Sequence, residues 1–118
     1  MNKEDKELLL KDLCARLPYG VKIQVTYEDG SGYFDEIVWE VNNDGPFHVN
    51  GWGIEYEYVK PYLFPLSSIT KKTLEELSAY IDIKNAYVAV EFFNSHHIDY
   101  RGLIEKGLAI DATGLNIY

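Results

Sequence analysis

The residues best equipped for chemistry lie together late in the chain. The run Asn94-Ser95-His96-His97-Ile98-Asp99-Tyr100-Arg101-Gly102-Leu103-Ile104 holds two of the three histidines and one of the two arginines, beside an aspartate and a tyrosine. A pocket built by His96, His97, Asp99, Tyr100 and Arg101 could bind a small anionic ligand or relay a proton. Metal binding is harder to build. Neighbouring side chains on a helix point about 100° apart, so His96 and His97 do not readily share one ion. His97 and Asp99 converge only if a helix ends between them. A structural zinc takes four ligands, a third and fourth are not evident, and His48 falls on a distant loop. No metal or other cofactor is expected.

Other patterns argue against catalysis. Ser95 beside His96 is not a dyad, because a dyad is a spatial arrangement and not a pair of sequence neighbours. No Gly-x-Ser-x-Gly elbow is present. Gly30-Ser31-Gly32 reads as a hairpin turn and nothing resembles a P-loop. Cys14, the only cysteine, falls on the apolar stripe of the first helix, where it acts as a small hydrophobe. Glu55 and Glu57 share a strand face, but that face is expected to meet solvent. Arg101 in an acidic chain most often ties carboxylates or carbonyls together, with Asp99, Glu91 and Glu105 as local partners.

The elements that must position these groups can be read along the chain. Residues 3–17 form an amphipathic helix, with Leu9, Leu13 and Leu17 repeating at i+4 beside Leu10 and Cys14. Its wet face carries Lys3, Glu4, Asp5, Lys6, Glu7, Lys11 and Asp12. Early acids and a late Arg16 suit the helix dipole, and Pro18 and Gly20 stop it. Residues 21–27 alternate as a strand, with Val21, Ile23, Val25 and Tyr27 inward. A turn with Asp29-Gly30 follows. The returning strand, Tyr33 to Val41, places Ile37, Trp39 and Val41 inward and Glu36, Val38 and Glu40 outward. After a turn at residues 42–46, a third strand runs from about Phe47 to Tyr58. Residues 59–69 read as irregular, because Pro61 and Pro65 remove donors. A helix then starts either at Thr70 or at Thr73, where Thr73 and Glu76 fit a capping box. Residues 85–97 fit strand and helix periods; the helix, with Asn85 as N-cap, is preferred. Asp99 caps a short helical turn over 100–106, closed by Gly107. The tail packs through Leu108 and Ile110 and is loose beyond.

These elements predict one α+β domain over residues 1–118. It has an N-terminal helix, a three- to four-stranded antiparallel meander and a helical C-terminal half. A small open barrel results if further segments add strands.

Composition narrows the function. At 118 residues and 47% hydrophobic the chain should fold. A formal charge of −8 without any basic run argues against direct nucleic-acid binding. The opening residues have no apolar signal core and no apolar run spans a membrane, so a soluble cytoplasmic protein is expected, with no membrane partner. Ten tyrosines suit core edges and contact surfaces.

Three stretches carry a resemblance: residues 8–21 (LLLKDLCARLPYGV), residues 60–70 (KPYLFPLSSIT) and residues 94–109 (NSHHIDYRGLIEKGLA). The chain resembles a group of small uncharacterised proteins from gut anaerobic bacteria, their phages and mobile elements. The resemblance implies one domain and a helix before His96, with the intervening strands as the variable part. It implies no activity. This chain departs from the group at Lys71-Lys72-Thr73, where similar proteins read as more acidic after the threonine.

The leading expectation is a non-enzymatic, protein-binding accessory domain of phage or mobile-element type, contacting its partner through Tyr33, Phe34, Glu55, Glu57 and Tyr58. The alternatives are a small enzyme or ligand-binding domain with its site at His96–Arg101, and an acidic inhibitor of a nucleic-acid-binding protein.

Overall fold

Asn2 begins the first helix, α1 (Lys3–Arg16), by accepting the Asp5 backbone N–H at 2.7 Å on its side chain. The computed structural model describes residues 2–38, 40–42, 45–47, 55–69, 75 and 86–118. After a 3₁₀ turn (Leu17–Tyr19) the chain reverses at Gly20, whose φ of 67° suits a residue without Cβ. The buried face of α1 departs from the leucine ladder. Leu9, Asp12, Leu13 and Arg16 are buried, an i, i+3, i+4, i+7 stripe, and Cys14 is exposed. Asp12 thus belongs inside and Cys14 outside, the reverse of what hydropathy predicts. Asp12 and Arg16 neutralise each other, so the helix can turn this face inward.

Among the described residues seven strands and another helix follow: β1 (Lys22–Thr26), β2 (Tyr33–Ile37), β3 (Glu40–Asn42), β4 (Gly45–Phe47), β5 (Val59–Pro65), α2 (Ala86–Ser95), β6 (Ile98–Asp99) and β7 (Ile110–Asp111). The fold is α+β. Five strands form one mixed sheet in the order β2-β1-β5-β6, with β7 also paired to β5. β1 runs antiparallel to β2 and β5, whereas β6 and β7 run parallel to β5. β3 and β4 form a separate hairpin around the expected turn. Among the described residues the sheet path stays open.

Three sequence expectations need correction. The returning strand is not continuous: β2 ends at Ile37 and β3 belongs to the other sheet. Its pleat is also inverted over residues 36–38, since Ile37 is 47% exposed and Val38 is buried, whereas Val41 packs on the core as expected. The register explains this. Phe34 and Glu36 pair with Val25 and Ile23 and share their inward face, which leaves Ile37 opposite Lys22 on the outside. Val38 then turns in, its N–H bonded to the Val21 carbonyl at 3.1 Å. Second, residues 56–58, expected to end the third strand, are a 3₁₀ turn. Third, the supposedly irregular segment supplies β5, the strand that joins the sheet together. It pairs with β1 over Val59–Pro61 and with β7 and β6 over Tyr62–Pro65. Proline donates nothing to a ladder, and the pairing with β1 stops at Pro61. The middle of the expected third strand and the helix expected from Thr70 or Thr73 lie outside the described residues, Glu75 apart.

The main core is Leu9 and Leu13 of α1 against Val21, Ile23, Val25, Val59 and Leu63 of the sheet region, closed by Leu103 and Leu108. A smaller cluster, Phe92 and Ile98, lies under Ile69, Ala89 and Phe93. The helix expected over 85–97 is observed as α2, which ends at Ser95 and delivers the chain to the His96–Arg101 run; Asn85, its expected N-cap, lies outside the described residues.

Candidate functional site

The five candidate side chains of the run do not form one site: His96, His97 and Asp99 go to separate partners. His96, the first residue past α2, stacks back on Phe92 (ring centroids 4.2 Å apart) and places Nδ1 3.0 Å from the Phe92 carbonyl oxygen. His97 takes a left-handed backbone (φ 57°) and lies flat against Tyr118 at 3.7 Å. Asp99 uses both oxygens as a cap: Oδ1 accepts from Leu103 N–H and Oδ2 from Ile104 N–H, each at 2.9 Å. The loop beyond closes as expected. Gly107 (φ 74°) donates to Ile104 and Leu108 donates to Leu103, which satisfies the turn's last carbonyls.

Arg101 reaches across the fold to a partner 89 residues away in sequence. Its Nη1 donates to Asp12 Oδ1 at 2.8 Å. Asp12 Oδ2 accepts from Arg16 Nε at 2.9 Å, and both side chains of that pair have zero exposure. Arg16 then ties the chain together through carbonyls. It donates to Ile98 at 2.6 Å and to Phe93, in the last turn of α2, at 3.4 Å. The carbonyl end of a helix is the negative end of its dipole, which suits the second buried cation. The Tyr100 ring stacks on Phe93 (5.6 Å) and lies under both guanidinium groups, 5.4 Å from Arg16 and 4.5 Å from Arg101. The expected local partners of Arg101, namely Asp99, Glu91 and Glu105, are therefore replaced by Asp12. The carbonyl-tying role expected of Arg101 belongs to Arg16.

The structure thus brings Tyr100 and Arg101 together around Asp12 and Arg16. It sends His96 and His97 to different neighbours and spends Asp99 on the backbone. Among the described residues no three His, Cys, Asp or Glu side chains gather as a metal site. Sequence reasoning missed Asp12 and Arg16. The available signal was their i, i+4 spacing on the face shared with Leu9 and Leu13.

Burial, reinforced by Arg16, His96 and Lys22, lowers the His97 pKa to about 4. The unfolded imidazole, near 6.5, holds the proton more tightly. Between these values the unfolded state carries the extra proton, so stability present above pH 6.5 is lost as pH falls toward 4. Solvent screening of this half-exposed ring softens the effect. Thermal unfolding should show a midpoint that falls from pH 6.5 to 5. His97→Asn, which tolerates a left-handed backbone, should flatten that slope. An unchanged slope in the variant would assign it to another group.

The expected contact residues divide between two faces. Tyr33, 59% exposed, points with Asp35 and Ile37 away from α1. Phe34 points the other way, packs partly on the core and meets Tyr27 at 5.4 Å. Glu55, Glu57 and Tyr58 lie at the 3₁₀ turn, where Glu55 and Tyr58 are close enough to Glu28 to feel its charge. A hydrogen bond shared with Glu57, and the charge of Glu57 itself, raise the Glu55 pKa. The Glu57 charge, ahead of burial, raises that of Tyr58. Lys6 of α1 is the nearby cation, with its ammonium 5.6 Å from the Tyr56 ring centre.

Comparison with protein-family models, with curated proteins and with solved structures gives no significant match.

Proposed function

We propose that this protein is a non-enzymatic binding module that presents an acidic, tyrosine-bearing surface to a basic protein partner. The surface consists of Tyr27, Glu28, Phe34, Glu55, Glu57 and Tyr58. The observation that carries the reading is the exposure of Glu55 and Glu57 on either side of buried Tyr56, where interaction with Glu57 raises the Glu55 pKa. Like charges at this spacing oppose each other, and a cationic partner relieves the opposition. The position of Asp99 and Arg101 supports the same reading, since both are committed to holding the fold. It weakens the alternative of a ligand or catalytic site at His96–Arg101. The resemblance to small proteins of phages and mobile elements makes an accessory role in such an element the natural setting. Inhibition of a nucleic-acid-binding protein is one form this could take.

Affinity capture from native cells tests the proposal. A partner should be recovered at low ionic strength, should be depleted at 0.5 M salt on the order of a 3–5 Å screening length, and should be lost with Glu55→Lys/Glu57→Lys. Recovery indifferent to salt and to the double substitution, or no partner above background, would count against it. Because the pair repels itself, Glu55→Gln should leave thermal stability equal or raised while weakening capture.

A further inference from the structure

A second site lies on the opposite side of the sheet region, independent of the acidic surface. Tyr118 sits there in a seat that matches every part of a phenol. One ring face lies on the His97 imidazole at 3.7 Å, with planes 10° apart, and Phe64 approaches at 6.0 Å. The Lys22 ammonium lies 5.7 Å from the ring centre. The hydroxyl accepts the Lys22 backbone N–H and donates to the Tyr62 carbonyl, each at 2.8 Å. Both partners are backbone groups of β1 and β5, fixed by the sheet. Tyr118 is 41% exposed, its bond to Lys22 is open to solvent and its bond to Tyr62 is partly buried, so a phenylalanine would fill the seat and lose chiefly the Tyr62 bond.

The strap that brings Tyr118 to this seat has few other anchors. Thr113 to Asn116 are exposed, and Leu115 is 49% exposed. Asn116 is held in the left-handed region (φ 54°). Beyond one local turn bond from Leu115 to Ala112 and an Asp111 bond to Thr113, the strap is held by Lys22 Nζ on the Ile117 carbonyl at 2.6 Å. A segment with so little burial opens locally at small cost. Beside the seat lies a cavity of about 360 Å³, lined in part by Phe64, His96, Ile98, Thr113 and Gly114. Phe64 belongs to both, and Thr113 and Gly114 are the base of the strap. Lifting the strap would join cavity and seat into one groove.

We infer that the Tyr118 seat is a tyrosine-recognition site, filled in this structure by the chain's own residues 113–118 and open to a tyrosine-bearing segment of a partner protein that displaces them. The present occupant defines the chemistry of its competitor. A net charge of −8 opposes a second copy of the chain in that role. The adjoining cavity receives an apolar side chain next to the partner's tyrosine.

Two full-length variants test this. Tyr118→Ala empties the seat, and Tyr118→Phe keeps the packing while unpairing Lys22 N–H and Tyr62 C=O. N-acetyltyrosinamide at millimolar concentration should shift the NMR signals of Lys22, Phe64 and His97 in both variants. It should bind about threefold more tightly than N-acetylphenylalaninamide, the factor expected for one partly buried hydrogen bond. A peptide of sequence TGLNIY should displace the strap of the unmodified protein at higher concentration. No shift in either variant, or equal affinity for the two amides, would overturn the assignment. A concentration-dependent dimer of the unmodified protein that protects the strap amides would give the seat to a second copy and overturn the partner reading.

Discussion

Asp12→Ala should cost about 3–5 kcal/mol of stability, the penalty for leaving a buried charge without its partner. For a chain of this size that corresponds to a fall of about 10–20 °C in the unfolding midpoint. Arg16 has zero exposure and cannot move its guanidinium to water without leaving the core. Its remaining contacts are the carbonyls of Phe93 and Ile98 and the face of the Tyr100 ring, which share charge but do not cancel it. Arg101 loses its anion as well, although its side chain retains 15% exposure and can turn outward. Denaturant unfolding should show a lower midpoint with an unchanged slope. A loss below about 1 kcal/mol would mean that water or rearrangement supports Arg16 without Asp12.

Asp99 should give the second largest effect, and a graded one. Its two oxygens serve two backbone N–H groups, those of Leu103 and Ile104, and Leu103 is fully buried. Ala serves neither N–H. The expected loss is about 2–4 kcal/mol, since hydrogen bonds to a charged acceptor contribute more than neutral ones. Asn keeps one acceptor oxygen and turns an NH₂ toward the other donor, so Asp99→Asn should fall between Asp and Ala. Equal effects of Asn and Ala in thermal melts would show that geometry, not acceptor count, sets the cap.

Much of the fold was legible because local rules and tertiary demands agreed. The stop of α1, the alternation of β1 and the Asp29-Gly30 turn follow from side-chain chemistry that acts within a few residues. So does the Asp99–Gly107 turn. The failures occur where a distant partner decided the outcome. Hydropathy places Asp12 in water, and only Arg16 and Arg101 together make its burial possible. Pro61 and Pro65 suggest an irregular segment, yet β5 tolerates them because its neighbours change along its length. Ile37 and Val38 exchange faces because pairing with β1, not the alternation of β2 itself, sets the pleat. Tyr118 gives no local sign of its role, since its partners Lys22, Tyr62 and His97 come from three separate stretches. The His96–Arg101 run was legible as a concentration of chemistry, but its employment as a clasp was not, because half of the clasp is on α1.

This division of labour shapes the functional account. Asp12, Arg16, Asp99 and Arg101 hold α1, α2 and the closing turn together. The acidic and aromatic side chains left exposed near residues 27–34 and 55–58 are free of that task. They are where partner binding is proposed, and the Tyr118 seat offers a second, separable point of contact.

The most direct test of the account is a double-mutant cycle between Asp12 and Arg101. Unfolding free energies of Asp12→Ala, Arg101→Ala and the double variant give the coupling between α1 and the His96–Arg101 run. The clasp predicts that both single variants are destabilised, and that the double variant loses less than their sum by about 1–3 kcal/mol. Additive losses, or an Arg101→Ala variant as stable as the parent, would contradict it and return the run to consideration as a binding site.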